Sequence, residues 1–171
     1  MAFVVAPSHI REEHPALPPA EAIVSVALAK AHAVARTLPP DRPALVLGAD
    51  TEVVLDGILM GKPRDGTDAI RILRALAGRR HEVITGVALV EVGGGKTEVT
   101  EAVTTRVTMR PYSNEEIDAY VATAEPLDKA GAYAVQGVGA RLVAEVDGCF
   151  TNVVGLPLST TRRMLERWRR T

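Results

Sequence analysis

The chain has 171 residues, 47% of them hydrophobic, and a formal net charge of −1. That length suits one domain, or two small lobes around one cleft, and can bury most of its apolar surface without staples. Its single cysteine, Cys149, excludes an internal disulfide framework, and the near-neutral charge removes any global attraction to nucleic acid. No apolar run reaches membrane-spanning length, and the N-terminus lacks a basic region followed by a hydrophobic core. The expectation is a soluble, cytoplasmic protein with neither membrane nor nucleic acid as partner.

In chain order, Phe3 to Ala6 reads as a short strand and Pro7 to Pro19 as a polar, proline-bearing loop. Ala20 to about Leu38 reads as an alanine-rich helix. At roughly 100° per residue, Ile23, Val26, Ala27 and Val34 form its apolar face, with Lys30 in the middle of the stripe. Periodicity leaves two readings of Lys30 equal: a packed stem with its ammonium in water, or an ammonium delivered into a cleft.

Ala44 to Leu47 reads as a buried strand that ends abruptly in Gly48-Ala49 and then exposes Asp50, followed by Thr51. A strand ending in an acid is one way α/β enzymes present a catalytic group. Thr51 to Met60 reads as a hairpin around Asp56-Gly57, and Lys62 follows, enclosed by Gly61 and Pro63. A lysine held this way suits a phosphate.

Thr67 to Ala77 reads as a helix, with Thr67 as N-cap, Gly78 as stop, and Ile70, Leu73, Leu76 and Ala77 toward the core. Val83 to Val92 and Thr97 to Met109 read as long strands joined by the turn Gly93-Gly94-Gly95-Lys96. Ser113-Asn114-Glu115-Glu116 is a capping box opening a helix to about Thr123. Ala132 to Gln136 and Arg141 to Val146 read as strands, and a final helix follows Pro157. Arg162, Arg163, Arg167, Arg169 and Arg170 crowd that helix and suit its negative dipole end. Alternating helices and strands with two long hairpins indicate an α/β or α+β domain around a mixed sheet, one domain over residues 1–171.

His9, His14, His32 and His81 are scattered without ligand spacing, and Walker A, dinucleotide and G-x-S-x-G fingerprints are missing. What remains is an oxygen-rich set: Glu12 and Glu13, Asp50 and Thr51, and Asp128. Hard divalent cations such as Mg²⁺ or Mn²⁺ prefer such carboxylates, together with phosphates and water. Arginine outnumbers lysine sixteen to four, yet Lys30, Lys62 and Lys129 all fall inside the segments singled out. A compact, rotatable ammonium differs from a planar guanidinium as a phosphate partner.

The order of these segments is recognisable. They comprise Ala27-Leu28-Ala29-Lys30-Ala31, Gly48-Ala49-Asp50-Thr51, Gly61-Lys62-Pro63, the run from Gly78 to Gly86, Glu125-Pro126-Leu127-Asp128-Lys129-Ala130-Gly131-Ala132-Tyr133, Gln136-Gly137, and Asn152 to Leu158. Over essentially its whole length the chain resembles the Maf family of nucleoside triphosphate pyrophosphatases. The resemblance implies a Maf/ITPase-like fold: an elongated mixed sheet flanked by helices, with a central cleft between two lobes. It implies hydrolysis between the α- and β-phosphates with a divalent metal, Mg²⁺ or Mn²⁺, in a homodimer.

Under that resemblance Asp50 matches the proton acceptor for the attacking water, and Glu12 a metal ligand beside Asp50, with Glu13 as the register alternative. Lys30 and Lys62 match phosphate contacts, and Lys129 falls in a further matching segment. Thr51 and Gln136 match positions linked to base selection, of the subgroup acting on dTTP and UTP. The amide of Gln136 can both donate and accept, as a uracil or thymine edge requires. The family normally begins with a strand and a Ser-x-Ser-Pro-Arg-Arg loop before the segment matching Phe3-Val4-Val5, and the expectation is a start site placed too late. The alternative is a nucleotide-binding or cell-division regulatory relative without turnover.

Overall fold

A computed structural model of the chain describes residues 3–93 and 98–168. The glycine turn expected at 93–96 lies outside the described residues beyond Gly93, as do Arg169 and Arg170. Among the described residues, helices accompany one five-stranded open sheet of strand order β2-β1-β3-β4-β5. The strands are β1 (Ala44–Leu55), β2 (Ile58–Leu59), β3 (Arg80–Val92), β4 (Glu98–Met109) and β5 (Val143–Asp147). The helices are α1 (Pro19–Ala35), α2 (Gly66–Leu76), α3 (Asn114–Val121), α4 (Phe150–Val154) and α5 (Leu158–Trp168).

The chain divides into two compact units. The first takes in the described residues of Met1–Asp50, Gly86–Ala102 and Ser159–Thr171. Its core sets Ala27 and Ala31 of α1 against Val46, Ala88, Val90 and Val92. Two glycines let the helix lie directly on the strands. A Cβ on Gly48 would stand 2.3 Å from the Ala27 carbonyl oxygen, and one on Gly86 would stand 2.8 Å from Val24 Cα. A strand glycine often marks such close backbone approach. Proline at its first position and an alanine-rich sequence favour α1. It stops at Ala35, earlier than expected, and the Thr37 N–H and hydroxyl both donate to the Val34 carbonyl. Pro39 further disfavours helical backbone at Leu38.

The second unit comprises Thr51–Thr85 and Val103–Leu158. Val53, Leu55, Ile72, Leu73, Leu76, Val107, Met109 and Ile117 form its core. The Asp56-Gly57 hairpin is as expected: both residues have positive φ, 52° and 79°, and Leu55 pairs with Ile58 antiparallel. The Ser113–Glu116 capping box is present in both directions at the start of α3. Antiparallel β5 pairs Arg106 with Asp147 and carries an irregularity at Thr108/Met109.

Four expectations need correction. Phe3 to Ala6 is not a strand: the described residues show no ladder partner for it, and Phe3, Val4 and Val5 are largely exposed. Ala132 to Gln136 is not a strand either, because Gly131 and Ala132 both adopt positive φ and turn the chain through a 3₁₀ segment. The N-cap of α2 is Asp65, whose carboxylate accepts from the Asp68 N–H at 2.8 Å, so Thr67 lies inside the helix. Finally, β1 does not end before Asp50 but runs on to Leu55.

Candidate active site

In the first unit, the continuation of β1 through Gly48 carries Asp50 into the interior, where it is 4% exposed. A buried carboxylate needs hydrogen-bond donors, and each oxygen has one. Lys30 Nζ donates to Oδ1 at 2.7 Å, and His14 Nε2–H donates to Oδ2 at 2.9 Å. The carboxylate can only accept, so His14 Nε2 carries the hydrogen. The Lys30 ammonium also lies 2.7 Å from Glu12 Oε1, so it bridges two acids. Burial alone would lower the Lys30 pKa. The hydrogen bonds and charges of Asp50 and Glu12 outweigh it and raise the pKa above the ordinary value. Each Asp50 oxygen keeps a further lone pair with which to accept from water.

In the second unit, a cavity of about 220 Å³ is lined by Thr51, Val53, Lys62, Val83, Asp128, Lys129, Tyr133, Gln136 and Gly155, among others. The Gly131 N–H donates to the Gly61 carbonyl at 2.8 Å and ties the loop before Lys62 to the 129–131 turn. Gly131 has φ of 69°, and a Cβ there would stand 2.6 Å from a Val53 methyl. Only glycine lets that turn sit against β1. Lys129 donates to Asp128, which with the field of Lys62 holds the Asp128 carboxyl below its usual range. Lys62 and Lys129 bring two ammonium groups to the cavity lining, a charge suited to phosphate.

Thr51 is less free than its position suggests. Its hydroxyl donates to the Gly155 carbonyl at 3.1 Å and lies 2.8 Å from the Thr85 hydroxyl. It therefore ties β1 to the end of α4. Behind it, the fully buried Asn152 donates to the Val83 carbonyl at 2.9 Å and to the Thr105 hydroxyl at 3.1 Å. This pins α4 onto β3 and β4, and Gly155 with it.

Of the residues singled out from sequence, Glu12, Lys30 and Asp50 meet in the first unit, while Thr51, Lys62, Lys129 and Gln136 line one cavity in the second. Asp50 and Thr51 are successive residues of β1. Glu13 pairs instead with Arg11, so Glu12 is the acid that reaches Lys30. The carboxylates of Glu12 and Asp50 are bridged by the Lys30 ammonium. Among the described residues, no three His, Cys, Asp or Glu side chains form a metal cage. Two hard carboxylates do match what Mg²⁺ or Mn²⁺ takes from a protein when phosphates and water complete the shell.

Sequence reasoning missed His14, Glu125 and Tyr120. His14 lies 36 positions from Asp50, in a loop without periodicity; its place two residues after Glu12 was the only signal. Glu125 and Tyr120 hold the loop bearing Gln136, and the Gln136-Gly137-Val138-Gly139 spacing marked a tight wrap without showing around what.

A family model described as "Maf-like protein" matches residues 1–168. The chain is 51% identical over 164 residues to the dTTP/UTP pyrophosphatase of Moorella thermoacetica, covering 95% of this chain and 82% of that protein. It is 49% identical over 150 residues to the dTTP/UTP pyrophosphatase of Dictyoglomus turgidum, covering 88% and 76% respectively. It is 46% identical over 168 residues to the dTTP/UTP pyrophosphatase of Koribacter versatilis, covering 98% and 84%.

Proposed function

The chain belongs to the Maf-like protein family, and we propose that it is a nucleoside triphosphate pyrophosphatase that converts dTTP and UTP to the monophosphate and pyrophosphate. The observation that carries the reading is the cavity in which Lys62, Lys129 and Gln136 gather around Thr51, the residue that follows the buried acid Asp50. The names of relatives up to 51% identical support it.

In the proposed reaction a water oxygen bonds to phosphorus as the bond to the bridging oxygen between the α- and β-phosphates breaks. Pyrophosphate leaves, and Asp50 takes the water's proton. Lys30, held charged beside Asp50, keeps that carboxylate oriented and offsets charge on the phosphates. Lys62 and Lys129 stabilise the charge that develops on the leaving pyrophosphate. Gln136 pairs with the carbonyl and N–H edge of uracil or thymine. Glu12 and Asp50 would hold a Mg²⁺ or Mn²⁺ ion, which supplies charge neutralisation on the triphosphate when bound.

A homodimer and a cytoplasmic location belong to the same proposal. The family resemblance supports the first. The chain's single cysteine, which suits a reducing compartment, and the lack of any described helix long and apolar enough to cross a membrane support the second. The test is incubation with dTTP, UTP, CTP and purine triphosphates, with Mg²⁺ or Mn²⁺ and with chelator. The expected result is metal-dependent release of one pyrophosphate per monophosphate from dTTP and UTP. Release of orthophosphate alone would overturn the reading.

A further inference from the structure

Glu125 lies outside the cavity lining, yet its carboxylate organises the loop that supplies Gln136. Oε1 accepts from the Tyr120 hydroxyl at 2.9 Å and from the Gly139 N–H at 2.9 Å, and Oε2 accepts from the Val138 N–H at 3.0 Å. The Tyr120 oxygen in turn accepts from the Ala134 N–H at 3.2 Å. The loop is thus fixed at Ala134 on one side of Gln136 and at Val138 and Gly139 on the other.

The glycines of the loop make this wrap possible. Gly137 has φ of 75°, and a Cβ on it would stand 2.7 Å from Glu125 Oε2. One on Gly139 would stand 2.4 Å from the Tyr120 hydroxyl. Burial pushes the Glu125 carboxyl up, but the Gly139 and Val138 N–H groups and the Tyr120 hydroxyl outweigh it and hold the pKa below the usual range. The anchor is therefore a charge-assisted set of bonds, stronger than a neutral one.

We propose that Glu125 is the positioning residue for base recognition: by clamping the loop at Val138 and Gly139 and, through Tyr120, at Ala134, it holds the exposed Gln136 amide where it discriminates uracil and thymine from cytosine. This rests on the pyrimidine triphosphate reading above. A side-chain amide discriminates only if its donor and acceptor are held in register with the base edge. Among the described residues, the bonds that anchor this loop fall on the residues flanking Gln136.

Glu125→Gln tests this with little change of shape. Glutamine offers one accepting oxygen, so at least one of the Val138 and Gly139 N–H groups then faces a donor. The expected result is a rise in KM for dTTP and UTP of about tenfold, the equivalent of one lost hydrogen bond, with kcat within about twofold. KM for CTP should stay unchanged, so the preference for UTP over CTP falls by the same factor. Tyr120→Phe, which removes one donor and keeps the ring, should move the preference in the same direction by a smaller amount. Amide exchange at Val138 and Gly139, measured without nucleotide, should accelerate in Glu125→Gln and reports the clamp independently.

Calorimetric binding of dTTP and CTP makes the same comparison without turnover. A wild-type protein that releases no pyrophosphate would therefore sink the catalytic reading while the binding preference still decides the role of Glu125. An unchanged preference for uracil or thymine over cytosine in folded Glu125→Gln and Tyr120→Phe would overturn the proposal. So would an equal fall in kcat for every nucleotide with KM preserved.

Discussion

Lys30 and Asp50, twenty residues apart, meet at 2.7 Å through Nζ and Oδ1, and the lysine bridges on to Glu12. One ammonium thereby neutralises two acids, one of them almost wholly buried. In the proposed reaction this keeps Asp50 oriented and supplies positive charge beside the phosphates.

Replacing Lys30 with Met leaves Asp50 Oδ1 without that donor inside the fold. Stability should drop by about 2–3 kcal/mol, as when one partner of a buried pair is removed. The Lys30→Met/Asp50→Asn double variant should lose clearly less than the sum of the two single losses, a coupling visible by urea denaturation. Because the Lys30 pKa is raised above 10.5, the stability due to the Lys30 shift is fully present below that pH and is lost as pH climbs through the still higher folded value. Simple additivity would mean that the bond contributes nothing.

Gly48→Ala should cost about 3 kcal/mol or more, since the new Cβ would lie 2.3 Å from the Ala27 carbonyl oxygen and the helix must move off the strand. Gly57→Ala meets no atom within 4 Å and bears only the strain of φ at 79°, so about 1 kcal/mol is expected. Thermal unfolding of both variants separates the two causes; equal losses would contradict the close approach of α1.

His81 is buried, its Nε2 is 2.8 Å from the Tyr133 hydroxyl, and among the described residues its Nδ1 has no hydrogen-bond partner. Burial lowers its pKa from 6.5 to about 4. Between those values the unfolded chain binds a proton that the folded chain does not, so stability is full above pH 6.5 and declines toward pH 4. The full shift corresponds to about 3 kcal/mol. His81→Phe should flatten this acid limb while lowering stability at pH 7.5, read from urea midpoints at both pH values. An unaltered acid limb would exclude His81 as its source.

Local signals were legible where the chemistry is local. The Asp56-Gly57 turn and the Ser113–Glu116 box follow from residues within four positions, and Lys30 stood out because one charge interrupts an apolar stripe. The Lys30 side chain is 18% exposed and its ammonium bonds Asp50 within the fold rather than standing in open water. What sequence could not supply depended on distant partners. Gly48 looked like the end of a strand, whereas it is the place where α1 crosses a continuous one. Ala132 looked extended because positive φ at a non-glycine residue has no sequence signature here. Phe3 to Ala6 has strand composition, but a strand also needs a neighbour. The capping misassignment was of another kind: Asp65 and Thr67 are both good N-caps, and the bond to the Asp68 N–H decides between them.

In the proposed dTTP and UTP pyrophosphatase reaction, Asp50 is the proton acceptor. The most direct measurement is pyrophosphate release from dTTP by the wild-type protein and by Asp50→Asn, with the fold of each checked by circular dichroism. Folded Asp50→Asn should show kcat reduced by about a hundredfold or more, the usual scale for loss of a general base. Wild-type turnover in folded Asp50→Asn would contradict it.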